Sequence, residues 1–311
     1  MRITHGLHPS ATQASAVTVG NFDGVHLGHQ SMLKRVVELA RTHHLCATVV
    51  TFDPHPREWF TPTRAPARLS SLRDKLSMLA QCGVEHVHVC PFHSALAQMP
   101  APDFVEDILV RGMDMRYLII GDDFRFGAQR AGDFALLHTL SVQYAYALEA
   151  MPSLIIDQIR VSSTAVRDAL TAANFHLVTR LLGRPYCISG HVVHGDKRGR
   201  QLGFPTANLQ LKSRNVALTG VFLVRVHGIA DHALPAVANL GTRPTLNAGL
   251  QTRLEVHLLD FSGDLYGRLL EIEFLSKIRD EQKFLNLDAL TQQINDDVRD
   301  ARQHFNLTAQ I

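Results

Sequence analysis

Three glycines spaced four residues apart stand in the segment GNFDGVHLGHQ, at Gly20, Gly24 and Gly28. Backbone N–H groups beside glycine can approach an anion closely, because no Cβ stands in the way. The apolar run before the segment predicts a strand, and the periodic run after it predicts a helix, whose N-terminus favours negative charge. The chemistry that fits this pattern is the binding of a phosphate group.

Two histidines, His26 and His29, follow within the same segment in the order HxGH. Imidazole N–H groups can stabilise charge that develops on phosphoryl oxygens in a transition state, and near neutral pH they can do so as imidazolium. The glycine spacing differs from the dinucleotide motif GxGxxG and from the P-loop motif GxxxxGK[ST], which disfavours hydride transfer and P-loop hydrolysis. The alternative is two surface histidines at a helix start.

A second glycine-rich segment, GDKRGRQLGFPTANL, is basic and leads into a strand pattern. A basic, glycine-rich loop fits a polyphosphate. Thr206 and Asn208 alternate to one face of that strand, and hydroxyl and amide oxygens are hard ligands that suit Mg²⁺. The glycines and basic residues of the loop are Gly195, Lys197, Arg198, Gly199, Arg200 and Gly203.

The elements around the first segment alternate in type. Strand patterns occur in AVTVG, CATVVTF, VEHVHVCPF and RYLIIG, with helical periodicity between them. This alternation favours a parallel sheet covered by helices, so residues 1–183 are predicted to form an α/β domain. One helical pattern runs from the SSTAVR segment to about Leu182 and ends at Gly183, ahead of Pro185.

Residues 184–311 show a different pattern. Short strand patterns separated by Gly, Pro, Asn or Asp turns predict an antiparallel barrel or sandwich. Residues 287–305 return to helical spacing and predict a helix packed on that barrel. Its apolar stripe consists of Leu287, Leu290, Ile294, Val298, Ala301 and Phe305. A length of 311 residues agrees with two domains.

The composition excludes several classes of protein. Lys plus Arg number 31 against 29 for Asp plus Glu, so the formal charge of +2 does not indicate a general polyanion binder. No apolar run is long enough to span a bilayer, and the four cysteines form no CxxC pair, so we expect a cytoplasmic protein without membrane or nucleic-acid partners. His86 and His88 in EHVHVC suggest a metal site, but ordinary strand alternation is the preferred interpretation.

Several motifs resemble a known family. GNFDGVHLGH resembles the HxGH motif of the nucleotidylyltransferase superfamily. TFDPHP, GDDFRFG and SSTAVRDAL follow it in the order seen in the bacterial bifunctional riboflavin kinase and FMN adenylyltransferase family, also called FAD synthetase. The resemblance spans nearly the whole chain. It implies a Rossmann-like nucleotidylyltransferase domain at residues 1–183 and an antiparallel β-barrel riboflavin kinase domain with a C-terminal helix at residues 184–311.

The resemblance also implies roles in the first domain. His26 and His29 would contact the ATP phosphates and act in catalysis, and the SSTAVR segment would bind phosphate at a helix start. The implied ATP-binding residues are Gly20, Phe22, Asp23, Gly24, His26, Gly28, His29, Ser163, Thr164 and Arg167. The implied flavin-side residues are Asp53, Pro54, His55, Pro56 and Asp123. For TFDPHP the alternative is a rigid turn.

In the second domain, the GDKRGRQLGFPTANL segment resembles the riboflavin kinase motif. The implied ATP-binding residues are Gly195, Lys197, Gly199, Gly203, Thr206 and Asn208, the last two also holding Mg²⁺. Glu255 in LEVHLLDF matches the base that accepts the proton of the riboflavin 5′-hydroxyl, although an exposed strand carboxylate is the alternative. KIRDEQKF resembles a flap beside the flavin, with Arg279 as a phosphate contact, or else a solvated charge run.

The implied activity is twofold: riboflavin and ATP give FMN, and FMN and ATP give FAD and pyrophosphate, with Mg²⁺ as cofactor. One alternative is that a single module is active. Adenylyl transfer to pantetheine phosphate or nicotinamide mononucleotide is another, but it leaves residues 184–284 without a role. A flavin-binding or RNA-binding regulator is a third, disfavoured by the low net charge and the two separate phosphate loops.

Overall fold

A computed structural model describes residues 1–195, 199, 202–211, 216–245 and 249–307. The chain divides into two units, residues 1–66 with 72–163, and residues 67–71 with 164–311. The predicted domain boundary at 183/184 stays a prediction.

The first unit contains a parallel sheet, as predicted, and the sheet has six strands. The strands are β1 (Arg2–His5), β2 (Ser15–Val19), β3 (Cys46–Asp53), β4 (His86–Pro91), β5 (Met115–Gly121) and β6 (Ala147–Met151). Their order is β1-β4-β3-β2-β5-β6. Neither edge strand was predicted, because β1 and β6 are short, largely unburied and lack the apolar run of an interior strand.

Helices cover both faces of this sheet. They are α1 (Leu27–Thr42), α2 (Pro56–Phe60), α3 (Leu72–Gln81), α4 (Ser94–Gln98), α5 (Ala101–Asp103) with a π-helical continuation (Phe104–Arg111), and α6 (Phe134–Tyr144). Val49 of β3 packs with Leu33 and Leu79, whereas its neighbour Val50 packs with Ile108 and Leu137. Successive side chains of β3 thus point to opposite faces of the sheet, and both faces are buried. This explains why the sequence of β3 is apolar without interruption. A small hairpin of β7 (Ile155–Ile156) and β8 (Ile159–Arg160) completes the unit.

The single helix predicted between the SSTAVR segment and Leu182 is two helices, α7 (Ser163–Thr171) and α8 (Phe175–Leu182). Ala173 adopts a left-handed φ of 51°, which ends the first helix. The Asn174 side chain then accepts a hydrogen bond from the Leu177 N–H and caps the second. The predicted stop at Gly183 is confirmed, with a φ of 71°.

The second unit contains a closed barrel of antiparallel strands. The strands are β9 (Tyr186–Val193), β10 (Ala207–Gln210), β11 (Gly220–His227), β12 (Leu234–Thr245), β13 (Gly249–Leu258) and β14 (Leu269–Arg279), in the order β10-β13-β12-β11-β14-β9. Helix α9 (Leu287–His304) packs Ala301 against Val221 and Leu223. Side chains alternate between the two faces of a strand. Since Val221 and Leu223 face α9, Phe222 and Val224 point into the barrel.

The predicted apolar stripe of α9 is wrong at its start. Leu287 is 66% exposed, whereas Asp297 is buried. The spacing of apolar residues could not show that the Asp297 carboxylate is buried where α9 packs on the barrel.

A chain of hydrogen bonds joins β1 and β4. Thr4 Oγ1 lies 2.8 Å from both His86 Nε2 and His88 Nδ1. Arg2 Nη2 lies 3.3 Å from His86 Nδ1, and His88 Nε2 lies 2.9 Å from the Gly6 carbonyl oxygen. A guanidinium group only donates and a carbonyl only accepts. Every hydrogen bond in the series is therefore donated in the direction from Arg2 towards Gly6, and both imidazoles are neutral. Among the described residues, no three His, Cys, Asp or Glu side chains are grouped to hold a metal ion.

The hydrogen bonds between β1 and β4 predict that the protein loses stability in acid. Burial, aided by the positive charge of Arg2, lowers the pKa of His86 from 6.5 to about 4. As pH falls below 6.5 the unfolded chain takes up this proton first, so the native state loses up to about 3 kcal/mol by about pH 4. Urea unfolding at pH 7 and at pH 4.5 measures the total loss, to which His29 and His88 also contribute because burial lowers their pKa values. The variant His86→Gln should reduce this loss by up to about 3 kcal/mol. An equal loss in the variant would contradict the assignment.

Candidate functional site

The loop between β2 and α1 contains three left-handed residues. Phe22, Gly24 and Val25 have φ values of 47°, 80° and 40°. Positive φ is unfavourable for a β-branched residue such as valine, whereas glycine adopts it without strain. Phe22 and Val25 are buried in the core beneath the loop, which holds the strained backbone in place.

The other two glycines of the loop allow close packing. A Cβ on Gly28 would lie 3.2 Å from His26 Nδ1 and 3.5 Å from the Val161 carbonyl oxygen. A Cβ on Gly20 would lie 3.2 Å from the Phe22 ring. The glycine spacing therefore serves the packing of the histidine and phenylalanine rings as well as an open backbone.

His26 and His29 form one unit at the start of α1. His26 Nδ1 accepts a hydrogen bond from the His29 backbone N–H at 3.3 Å and caps the helix. The two rings are stacked, with 3.6 Å between their centroids. His29 Nδ1 is buried and has no hydrogen-bond partner among the described residues. The pair thus lies at the N-terminus of α1, where the helix dipole attracts an anion.

The protonation state of His29 differs from the imidazolium expected from the sequence. Burial lowers the pKa of His29 well below its usual range, and the charges of His26 and Lys75 lower it further. His29 is therefore a neutral imidazole near pH 7, which still donates one N–H bond. A nearby polyphosphate would raise the pKa of His29, because negative charge favours the protonated form.

Lys75 on α3 is a buried cation that the sequence analysis did not single out. It is 7% exposed, and its Nζ lies 3.5 Å from Thr51 Oγ1. The Thr51 hydroxyl in turn donates to the Asn21 carbonyl oxygen at 3.3 Å. In the sequence RDKL this lysine resembles any charge on a helix, and only packing reveals that it supplies positive charge near the histidine pair.

The SSTAVR segment is only partly brought to the glycine loop within the first unit. Ser163 Oγ donates to the Asp23 carbonyl oxygen at 2.9 Å, which connects the start of α7 to the loop. Thr164 is exposed, and Arg167 Nε donates to the Ala67 carbonyl oxygen at 2.6 Å. Phosphate binding by these three residues stays a prediction.

The TFDPHP segment forms a defined turn, which supports the turn alternative. The Asp53–Pro54 peptide bond is cis. His55 Nδ1 accepts from the Arg57 N–H at 3.1 Å and caps α2, whose first residue is Pro56. The flavin-side role of residues 53–56 stays a prediction.

Aromatic side chains that the sequence analysis did not single out follow that turn. Phe60 is 61% exposed and packs edge-on against Phe92, with 5.6 Å between centroids, and Trp59 is also exposed. Exposed aromatic rings suit the binding of a planar heterocycle.

The acidic pair of GDDFRFG has protein partners. Asp122 accepts from Ser153 Oγ at 3.0 Å, and Asp123 pairs with Arg160 at 2.6 Å. Phe124 and Phe126 are stacked, with 5.4 Å between centroids. The predicted flavin-side residue Asp123 therefore lies beside a cation, Arg160, that the sequence analysis missed.

In the second unit, the glycines of the basic segment allow it to pack against the predicted magnesium ligands. A Cβ on Gly195 would overlap the Asn208 side chain, and a Cβ on Gly199 would lie 3.4 Å from Thr206 Oγ1. Gly203 has a left-handed φ of 88°. Lys197, Arg198 and Arg200 lie outside the described residues.

A cavity of about 590 Å³ opens beside these ligands. Gly195, Thr206 and Asn208 line it, together with residues 261–266. Tyr266 in that turn packs its ring 4.0 Å from the ring of His194. The volume is that of a small-molecule site, and nothing in the residue types of positions 261–266 indicates that they line one.

Glu255 lies in the middle of a row of polar residues on three adjacent strands. It pairs directly with Asn208 of β10 on one side and with Asn239 of β12 on the other. Directly paired residues project to the same face of a sheet. Its neighbours Leu254 and Val256 are buried, and Glu255 is half-buried on the opposite, outer face. The register thus supports a site for Glu255 rather than an isolated surface carboxylate.

Comparison with known proteins agrees with both units. Residues 8–165 match the family model of FAD synthetase, and residues 182–305 match that of riboflavin kinase. The bifunctional riboflavin kinase/FMN adenylyltransferase of Escherichia coli K12 is 45% identical over 308 residues, which cover 99% of this chain and 98% of that protein. This chain belongs to that bifunctional family. The Pseudomonas fluorescens member is 48% identical over 304 residues, covering 97% of each chain.

A solved structure also resembles this family member over its length. The crystal structure described as a macrolide-efflux protein from Streptococcus pneumoniae has a TM-score of 0.79 and 29% identity, and covers 97% of this chain and 99% of that chain. Among the residues described here, no helix is long and apolar enough to cross a membrane. The two family models and the full-length bifunctional relatives decide the family of this chain.

In the riboflavin kinase part of this bifunctional chain, Arg279 has protein partners. Its Nε and Nη2 contact the Asp297 carboxylate of α9 at 2.9 and 2.7 Å, and its Nη1 donates to the Asp280 carbonyl oxygen at 3.0 Å. A bidentate ion pair with a buried carboxylate anchors the end of β14 to α9. The predicted phosphate contact of Arg279 finds no support in this arrangement and stays a prediction.

Proposed function

We propose that this chain is a bifunctional enzyme of flavin cofactor synthesis. Residues 184–311 transfer the γ-phosphoryl group of ATP to riboflavin, giving FMN and ADP. Residues 1–183 transfer the adenylyl group of ATP to FMN, giving FAD and pyrophosphate. The observation that carries the proposal is that one chain holds two separate glycine-rich loops, one with the stacked His26–His29 pair and the other packed on Asn208, which pairs with Glu255.

Adenylyl transfer needs alignment and charge stabilisation more than a protein nucleophile. The FMN phosphate attacks the α-phosphorus of ATP in line, and pyrophosphate leaves. We assign His26 and His29 as donors to the phosphoryl oxygens, aided by the N-terminus of α1 and the charge of Lys75. Residues 53–56 and Asp123 are assigned to the flavin side, which the nearby exposed aromatic Phe60 supports.

Phosphoryl transfer to riboflavin needs a proton acceptor and an aligned polyphosphate. We assign Glu255 as the group that takes the proton of the 5′-hydroxyl. ATP is assigned to the cavity lined by Gly195, Thr206, Asn208 and residues 261–266.

The donor set fits Mg²⁺. The Thr206 hydroxyl and the Asn208 amide oxygen are hard oxygen ligands, and the missing side chain of Gly195 keeps room beside Asn208. Mg²⁺ would neutralise charge on the phosphates. We also assign the enzyme to the cytoplasm, because its four cysteines are free, which suits a reducing compartment.

The test is a time course. The purified protein is incubated with riboflavin, ATP and Mg²⁺, and the flavins are separated by chromatography; a parallel reaction starts from FMN. FMN followed by FAD supports both activities, and EDTA should stop the conversion. FMN alone would limit the activity to the barrel, and FAD formed only from supplied FMN would limit it to the first unit. Unchanged flavin in both reactions would contradict the enzyme and favour a flavin-binding protein.

A further inference from the structure

Asn239 lies at the centre of β12, next to the proposed base. It pairs directly with Glu255 on one side and with Val221 of β11 on the other. Its Oδ1 is buried and has no hydrogen-bond partner among the described residues. In the sequence ALPAVANLG this asparagine resembles an ordinary residue near a strand end, so only the register reveals its position.

An unpartnered buried acceptor is unfavourable. Such a group costs about 1–3 kcal/mol, and folded proteins leave few of them. Neither paired neighbour can donate a hydrogen bond from its side chain to Asn239. The side chain of Glu255 only accepts when it is ionised, and that of Val221 has no polar atom. The missing partner is therefore a hydrogen-bond donor from elsewhere.

We propose that Asn239 is a substrate-binding residue of the kinase site and that its amide oxygen accepts a hydrogen bond from a hydroxyl of the riboflavin polyol chain. This inference rests on the proposed function. Side chains of directly paired residues begin about 4.5–5.5 Å apart, so neighbouring hydroxyls of one polyol can reach both. The 5′-hydroxyl then faces Glu255 while an adjacent hydroxyl contacts Asn239, which aligns the reacting oxygen with its base.

The substitution Asn239→Leu tests this role, since leucine has the same number of side-chain heavy atoms, branched at the same position, and no polar atom. We expect the KM for riboflavin to rise about tenfold, while the KM for ATP stays the same. Thermal unfolding should show equal or greater stability, because an unsatisfied acceptor has been removed. Asn239→Ser, which keeps a small acceptor, should show a smaller rise and provides the measurement if the leucine variant does not fold.

Two controls separate a polyol contact from general damage. Asn295→Leu makes the same change at an exposed position on α9 and should leave the kinetics of FMN formation unchanged. Lumiflavin lacks the polyol chain, so its binding, measured by quenching of flavin fluorescence, should be the same in wild type and Asn239→Leu.

Three outcomes would overturn the inference: an unchanged KM for riboflavin in both Asn239 variants, an equal rise for ATP, or an equal loss of lumiflavin and riboflavin binding. The proposed function fails separately, if wild type forms no FMN. If wild type forms FMN and the variants keep its KM, only the role of Asn239 is wrong.

Discussion

The substitution His29→Ala is expected to slow FAD formation from supplied FMN at least about 100-fold and to leave FMN formation from riboflavin unchanged. The loss of one preorganised donor to a phosphoryl oxygen typically costs this much. His29 is stacked on His26 and tilted against Phe22, so the alanine variant also loses the contacts that hold the cap of α1. Chromatographic rates with FMN or riboflavin as the starting flavin measure both activities in one preparation.

Controls for this variant come from the same unit. His138→Ala removes an exposed histidine on α6 and should keep both activities. His29→Gln retains an N–H donor and should recover part of the rate. Near-normal FAD formation in a folded His29→Ala protein would remove the histidine pair from the mechanism.

The substitution Glu255→Gln is expected to have the reciprocal effect. Glutamine matches the size of glutamate but cannot accept the hydroxyl proton, so FMN formation should fall about 10²–10⁴-fold. FAD formation from supplied FMN should be unchanged. Glu271→Gln, an exposed change on β14, is the matched control. A kinase rate within a few-fold of wild type would return Glu255 to an ordinary strand carboxylate.

Mixing the His29→Ala and Glu255→Gln proteins tests both activities in one reaction. His29→Ala protein should convert riboflavin to FMN, and Glu255→Gln protein should convert that FMN to FAD. The mixture should therefore produce FAD from riboflavin when neither protein does so alone. No FAD from the mixture, with both single activities present, would show that FMN released by one chain does not reach another.

Local patterns were sufficient for most of the fold. The apolar runs of β2 to β5 and the periodicity of α1 and α3 are strong because these elements bury a full face or side, and the same holds for the barrel strands. The break at Ala173 was missed, because a non-glycine residue in a left-handed conformation leaves little trace in the sequence. The edge strands β1 and β6 were missed because they bury little.

The sequence by itself indicated the candidate reactive groups: the glycine loops, the HxGH histidines and Thr206 with Asn208 from their spacing, and Glu255 from the family resemblance. The first three are recognisable from residue types at short spacing, where the local backbone sets the geometry. Only the tertiary structure placed Lys75 near His29, Asn239 beside Glu255 and Arg279 on Asp297. These neighbours depend on helix docking and strand register, which are set by the burial of whole faces rather than by residues near in sequence.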